Sequence, residues 1–203
     1  MQFARPQENH VLGIAILLTL LRILFGPLFL LLYLYYDAFA IPLKLLPYLL
    51  ICLMALSELS DLFDGLLARK KNQVTNLGKI LDPMADSIFR ISVLLTFTQG
   101  IIRLPMILVF VFIYRDMVIS TLRTVCALKG VALAARLSGK IKAVLQAVVG
   151  FFILLLLIPY SWGLLSLERL RDLSLYAVSL AALYTLLSAA EYLIANRSYI
   201  KRA

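Results

Sequence analysis

Four carboxylates set in apolar sequence carry most of the chemistry this chain can do. Asp61 and Asp64 stand three residues apart and Asp82 and Asp86 four apart, inside DLFDGLLARKKNQVTNLGKILDPMAD. On helices, each pair therefore shares one face, about one turn apart. Acids this close in a low-dielectric setting do not all stay ionised without positive charge among them. Oxygen donors with no Cys or His beside them favour a hard divalent ion, Mg2+ or Mn2+, over zinc. Four carboxylates have room for two such ions, and two-metal sites typically clamp phosphate oxygens during an in-line displacement. The plainer alternative pairs the acids with Arg69, Lys70, Lys71 and Lys79 on a solvated helix end. Gly65, Ala68 and Gly78, spaced regularly among the acids, argue against it.

The elements that hold these acids must be two helices, joined by a polar run over 69–73 that reads as a loop. Around them, 203 residues with 63% hydrophobic and 15% charged content and a mean hydropathy of +0.95 describe an integral membrane protein. The apolar runs predict an all-α polytopic chain of six transmembrane helices, over roughly 11–36, 45–68, 78–98, 106–128, 139–159 and 173–195. No linker is long enough for a second domain, so 1–203 reads as one. The first run lacks a small-residue cleavage site after it and reads as a retained span. Gly26 and Pro27 predict a kink in that span. Arg22, also within it, is either a snorkelling side chain or a ligand contact. Arg90, one turn beyond Asp86, is expected to be its counter-ion. Arg115, Asp116, Ser120 and Arg123 are too many polar groups for a lipid face and are expected to point inward. A loop with Trp162, Arg169 and Arg171 is expected before the sixth span.

Charge by side sets the expected orientation. Twelve Lys and Arg fall on the side of the acids and the two termini, against Lys44, Arg103, Arg169 and Arg171 on the other. That asymmetry places both termini and the acidic site in the cytoplasm. The net charge of +9 is expected to meet anionic membrane lipid and not nucleic acid. His10 is the only histidine and lies outside the first span, so Ser-His-Asp and Cys-His catalysis have no candidate in the core. Cys52 and Cys126 lack metal spacing and read as packing residues with no disulfide between them.

Written out, the spacing is Asp61, two residues, Asp64, Gly65, two residues, Ala68, Arg69, eight residues, Gly78, three residues, Asp82, three residues, Asp86. It resembles, without a gap, the signature of the CDP-alcohol phosphatidyltransferase family. The resemblance implies a reaction in which an alcohol displaces CMP from a CDP-linked lipid, at the cytoplasmic face of the inner membrane. It implies that Asp61, Asp64, Asp82 and Asp86 surround two Mg2+ or Mn2+ ions, with Asp86 also the base that takes the acceptor proton. It further implies that Asp61, Gly65, Ala68, Arg69 and Gly78 accommodate the nucleotide of CDP-diacylglycerol, and that the protein is a homodimer. Glycine without a side chain lets a nucleotide approach the helix backbone, and arginine offers phosphate a planar fork.

The stretches RDMVISTLR from Arg115 and GKIKAVLQ from Gly139 are similar to those of the bacterial members that use glycerol 3-phosphate as acceptor, as is LTLLR around Thr19 and Arg22. Ser87, Ala143 and Ile16 depart from the residues usual there. The likeness implies that Arg115, Arg123, Lys140 and Lys142 bind the acceptor phosphate. The alternatives are a phosphatidylinositol phosphate synthase or CDP-type cardiolipin synthase within the same chemistry. From a different class, the alternative is a cation transporter, which would place its acids near the bilayer midplane and not at one end of two helices.

Overall fold

The computed structural model of the chain describes residues 6–70, 78–128 and 136–197, and the side chains of 20–60, 84–126, 128 and 136–197. Every element among the described residues is an α-helix: α1 (Pro6–Leu34), α2 (Leu46–Lys70), α3 (Gly78–Thr96), α4 (Met106–Leu128), α5 (Leu137–Ser161) and α6 (Leu167–Ala195). They divide into two compact units, Met1–Thr96 and Phe97–Ala203. Of the described helices, α5 and α6 are long and apolar enough to cross a membrane, and the apolar stretches Leu20–Leu34 and Leu46–Ser60 are shorter.

In the first unit α1 packs against both α2 and α3. Among the residues of α1 described with their side chains, the buried ones are Arg22, Gly26, Phe29 and Tyr33, a stripe of three- and four-residue steps that meets Leu46, Leu50, Met54 and Ser57 of α2 and Ala85, Phe89 and Val93 of α3 in the core. The stripe that buries two aromatics therefore also carries Arg22 inside. Gly26 allows the helices to approach: a Cβ there would lie 2.9 Å from Ser92 Oγ and 3.0 Å from its Cβ. The Ser92 hydroxyl is itself turned back, donating to the Ile88 carbonyl at 2.8 Å. Lipid is as apolar as leucine, so such close contacts, more than removal of apolar surface from water, hold membrane helices together. Gly26→Val is expected to destabilise the folded protein by about 1–3 kcal/mol through overpacking. The check is thermal unfolding in detergent, where Ser92→Gly in the Gly26→Val background should recover part of the loss; no recovery would mean that this contact is not the cause. Pro27 does not end α1, which runs on to Leu34.

In the second unit α6 packs against α4 and α5. Its buried face, Leu170, Ser174, Val178, Ala181, Ala182, Thr185, Ser188 and Tyr192, is built largely of small residues that admit close neighbours. Ser174 and Thr185 donate to the carbonyls of Leu170 and Ala181, each at 2.7 Å, so their hydroxyls are satisfied within the helix. The opposite face exposes Tyr176, Leu180, Leu183 and Leu187. The helix begins earlier than hydropathy suggests. Ser166 caps it, accepting from the Arg169 backbone N–H at 3.4 Å, and Glu168 stands in the first turn, so Arg169 and Arg171 are helical and not in a loop. Arg171 reaches across to donate to the Ile101 carbonyl at 3.0 Å.

The two cysteines differ. Cys126 is core, as expected, whereas Cys52 is exposed and contributes nothing to internal packing; both are free thiols.

Candidate functional site

Helix α2 carries Asp61, Asp64, Gly65, Ala68 and Arg69 in its last turns, and α3 carries Gly78, Asp82 and Asp86 in its first. Arg69 and Lys70 extend α2 and are not part of the expected loop, whose remainder lies outside the described residues. The side chains of all these residues except Asp86 also lie outside the described residues, as does that of Thr19.

Asp86 is seen in full. Its carboxylate, 18% exposed, is paired with the guanidinium of Arg22, which is 1% exposed. The same guanidinium donates to Ser60 Oγ at 3.1 Å. One arginine on α1 thus ties α3 to α2 at the level of the acids. Of the two alternatives for Arg22, burial removes snorkelling, since a snorkelling side chain would reach the interface and this one lies inside, paired with Asp86. One turn further along, Arg90 meets Glu58 by a two-pronged fork, Nε to Oε1 at 3.0 Å and Nη2 to Oε2 at 2.9 Å. Where the sequence spacing points to Asp86 as the partner of Arg90, the carboxylate that takes this fork is Glu58, three residues before Asp61. That spacing extends the acidic face of α2 by a turn and was a readable signal in the sequence.

The second unit holds a different cluster. The stripe of α4 that buries Val109, Phe112, Ile119 and Cys126 also passes through Asp116, and that of α5 starts with Lys142 and Gln146. Lys142 Nζ donates to both oxygens of Asp116 at 2.7 Å, and Arg115 Nη1 to one of them at 3.0 Å. All three side chains are at most 11% exposed. Gly139 lies beside the guanidinium: a Cβ there would stand 3.2 Å from Arg115 Nη2. Arg115 Nε and Gln146 Nε2 are buried with no acceptor among the described residues.

Arg123 faces elsewhere, donating to Tyr192 Oη at 3.2 Å with its guanidinium 5.3 Å from the ring centroid. Lys140 is exposed. Of the four cations expected at an acceptor phosphate, Arg115 and Lys142 are brought together on Asp116, and the other two are not part of that knot. Arg136 and Glu191 form an exposed pair at 3.0 Å, of the kind that contributes little.

A model of the CDP-alcohol phosphatidyltransferase family matches residues 12–195. The chain belongs to this family. As a CDP-alcohol phosphatidyltransferase it has bacterial relatives that match up to 92% of its length. It is 35% identical to the CDP-diacylglycerol–glycerol-3-phosphate 3-phosphatidyltransferase of Bacillus subtilis over 149 residues, 73% of this chain and 74% of that protein. It is 31% identical to the protein of the same name from Escherichia coli over 192 residues, 92% of this chain and 96% of the other. It is 30% identical to the probable phosphatidylglycerophosphate synthase of Mycobacterium tuberculosis over 158 residues, 74% of this chain and 73% of that one. The family match spans both units, and every acid of the signature falls within it.

Proposed function

We propose that this membrane phosphatidyltransferase moves the phosphatidyl group of CDP-diacylglycerol to glycerol 3-phosphate, giving phosphatidylglycerophosphate and CMP. The observation that carries the acceptor is the buried knot of Arg115 and Lys142 with unmet donors on Arg115 and Gln146, which suits a substrate that brings its own phosphate. The names of the bacterial relatives agree with that reading. An uncharged alcohol has no use for two buried cations.

In this reading Asp61, Asp64, Asp82 and Asp86 hold two Mg2+ or Mn2+ ions, and Asp61, Gly65, Ala68, Arg69 and Gly78 receive the nucleotide. What supports a metal is the chemistry of the donor set, four carboxylates with no Cys or His beside them, of which Asp86 is the one whose side chain is described. A carboxylate has about four lone-pair sites, so a guanidinium on one oxygen does not exhaust it. When bound, the ions neutralise charge on the pyrophosphate and make CMP a better leaving group. The Asp86 carboxylate takes the proton of the acceptor hydroxyl, whose oxygen forms the new bond to the phosphatidyl phosphorus as the bond to CMP breaks. Arg115 and Lys142 hold the acceptor phosphate, whereas Arg123, turned to Tyr192, and the exposed Lys140 are given no part in it. The charge asymmetry of the loops supports six spans with both termini and the catalytic groups on the cytoplasmic side of the inner membrane.

The test is CMP release by purified protein with CDP-diacylglycerol and a panel of acceptors. Glycerol 3-phosphate is expected to support turnover; serine, inositol phosphate and phosphatidylglycerol are not. Excess EDTA is expected to abolish the reaction, and added Mg2+ or Mn2+ to restore it. Efficient use of serine or inositol phosphate would overturn the acceptor, and full turnover in EDTA would overturn the metal.

A further inference from the structure

The cationic knot contains a carboxylate, and a phosphate site does not obviously want one. Asp116 is 11% exposed and sits on the buried stripe of α4 between Phe112 and Ile119, so water does little to compensate its charge. Both its oxygens accept from Lys142, which is 3% exposed, and one accepts from Arg115. Neighbours in sequence do not normally face each other on a helix. Arg115 nevertheless folds back over Asp116, in a space bordered by Gly139 at the start of α5.

Without Asp116, an ammonium and a guanidinium would be buried side by side and would repel each other apart. With it, both are held at hydrogen-bond distance of one anchor before any ligand arrives. Asp116 does not satisfy the whole group. Arg115 Nε and the amide nitrogen of Gln146, one turn beyond Lys142 and 3% exposed, are buried with no acceptor among the described residues. Buried donors left this way are costly, and the oxygens of an entering phosphate would satisfy them.

We infer that Asp116 is a positioning residue: its carboxylate holds Lys142 and Arg115 together as a preassembled site for the acceptor phosphate. The inference rests on the acceptor reading above. A site organised in advance binds more tightly because the ligand does not bear the cost of assembling it. Asp116 is expected to act on acceptor binding and to leave use of the lipid nucleotide alone, a distinction that a merely structural ion pair would not make.

The experiment measures KM for each substrate, kcat, and inhibition by inorganic phosphate, on the full-length protein carrying Asp116→Asn, Asp116→Glu or Lys142→Met. Asp116→Asn is expected to raise KM for glycerol 3-phosphate on the order of tenfold, as for loss of one charge-assisted contact, and to weaken phosphate inhibition by the same factor. Its kcat and its KM for CDP-diacylglycerol should stay within about twofold of wild type. Asp116→Glu keeps the charge on a longer arm and should fall between wild type and Asn; should the Asn variant not fold, a Glu variant with unchanged KM for glycerol 3-phosphate overturns the inference. Equal losses on both substrates overturn it as well. If Lys142→Met raises KM for glycerol 3-phosphate and Asp116→Asn does not, the pocket stands and the positioning role falls. If neither variant moves it, the acceptor reading falls and takes this inference with it.

Discussion

Replacing Asp86 by Asn is expected to lower turnover by roughly 100- to 10,000-fold, the range that general acid–base catalysis supplies. Asn has the size of Asp and keeps an oxygen that can accept from the guanidinium of Arg22, so the shape of the α1–α3 contact is kept, although the variant loses the charge facing a buried guanidinium and is expected to be less stable than wild type. It lacks the basicity to take a proton from the acceptor hydroxyl. Binding of CDP-diacylglycerol should weaken by less than about tenfold, because three of the four acids of the cluster remain. The measurements are CMP release at saturating substrates and titration of the nucleotide lipid on the same preparation. Normal turnover would remove Asp86 from the role of base. Loss of binding equal to the loss of rate would make it a ligand only.

The helical placement of the acids was legible, since their three- and four-residue spacing puts Asp61 and Asp64 on α2 and Asp82 and Asp86 on α3. Their counter-ions were not. Arg90 stands one helical turn from Asp86, and local spacing pairs them, yet its fork closes on Glu58, 32 residues away. Arg22 closes on Asp86 across 64 residues. Both are tertiary choices, made by which stripes of α1, α2 and α3 face one another, and a single sequence carries that information only through burial patterns. The stripe Arg22, Gly26, Phe29, Tyr33 could have been read as one buried face, which would have taken the snorkelling alternative away. Likewise Lys142 and Gln146 fall four apart at the head of an otherwise apolar helix, and Asp116 lies on the same register as Phe112 and Ile119. These positions mark a polar group inside a core, but spacing alone does not say that Asp116 joins the cations of two helices. The start of α6 was misplaced for a different reason: LERLRD is too charged for a hydropathy reading, while Ser166 with Glu168 marks the cap.

Arg22 gives the largest expected effect on stability. It is 1% exposed, it reaches Asp86 on α3 and Ser60 on α2, and it belongs to the buried stripe of α1. Removing one partner of a buried pair leaves the other charge uncompensated, at a cost of about 3–5 kcal/mol. Arg22→Met should therefore destabilise the first unit, by less than that figure because water and the further interactions of Asp86 compensate part of its charge. Arg22→Lys should lie between, since one ammonium on a flexible stem replaces a fork that spans two helices. The decisive variant combines Arg22→Met with Asp86→Asn. Replacing both charges with neutral groups of similar size is often tolerated, so the double variant should unfold at a higher temperature than Arg22→Met alone while remaining without turnover. Stability and activity would then separate at one carboxylate: Asp86 costs the fold a buried counter-ion, and the reaction is the reason for keeping it. Additive destabilisation in the double variant, or an Arg22→Met protein as stable as wild type, would show that this pair does not hold the three helices together.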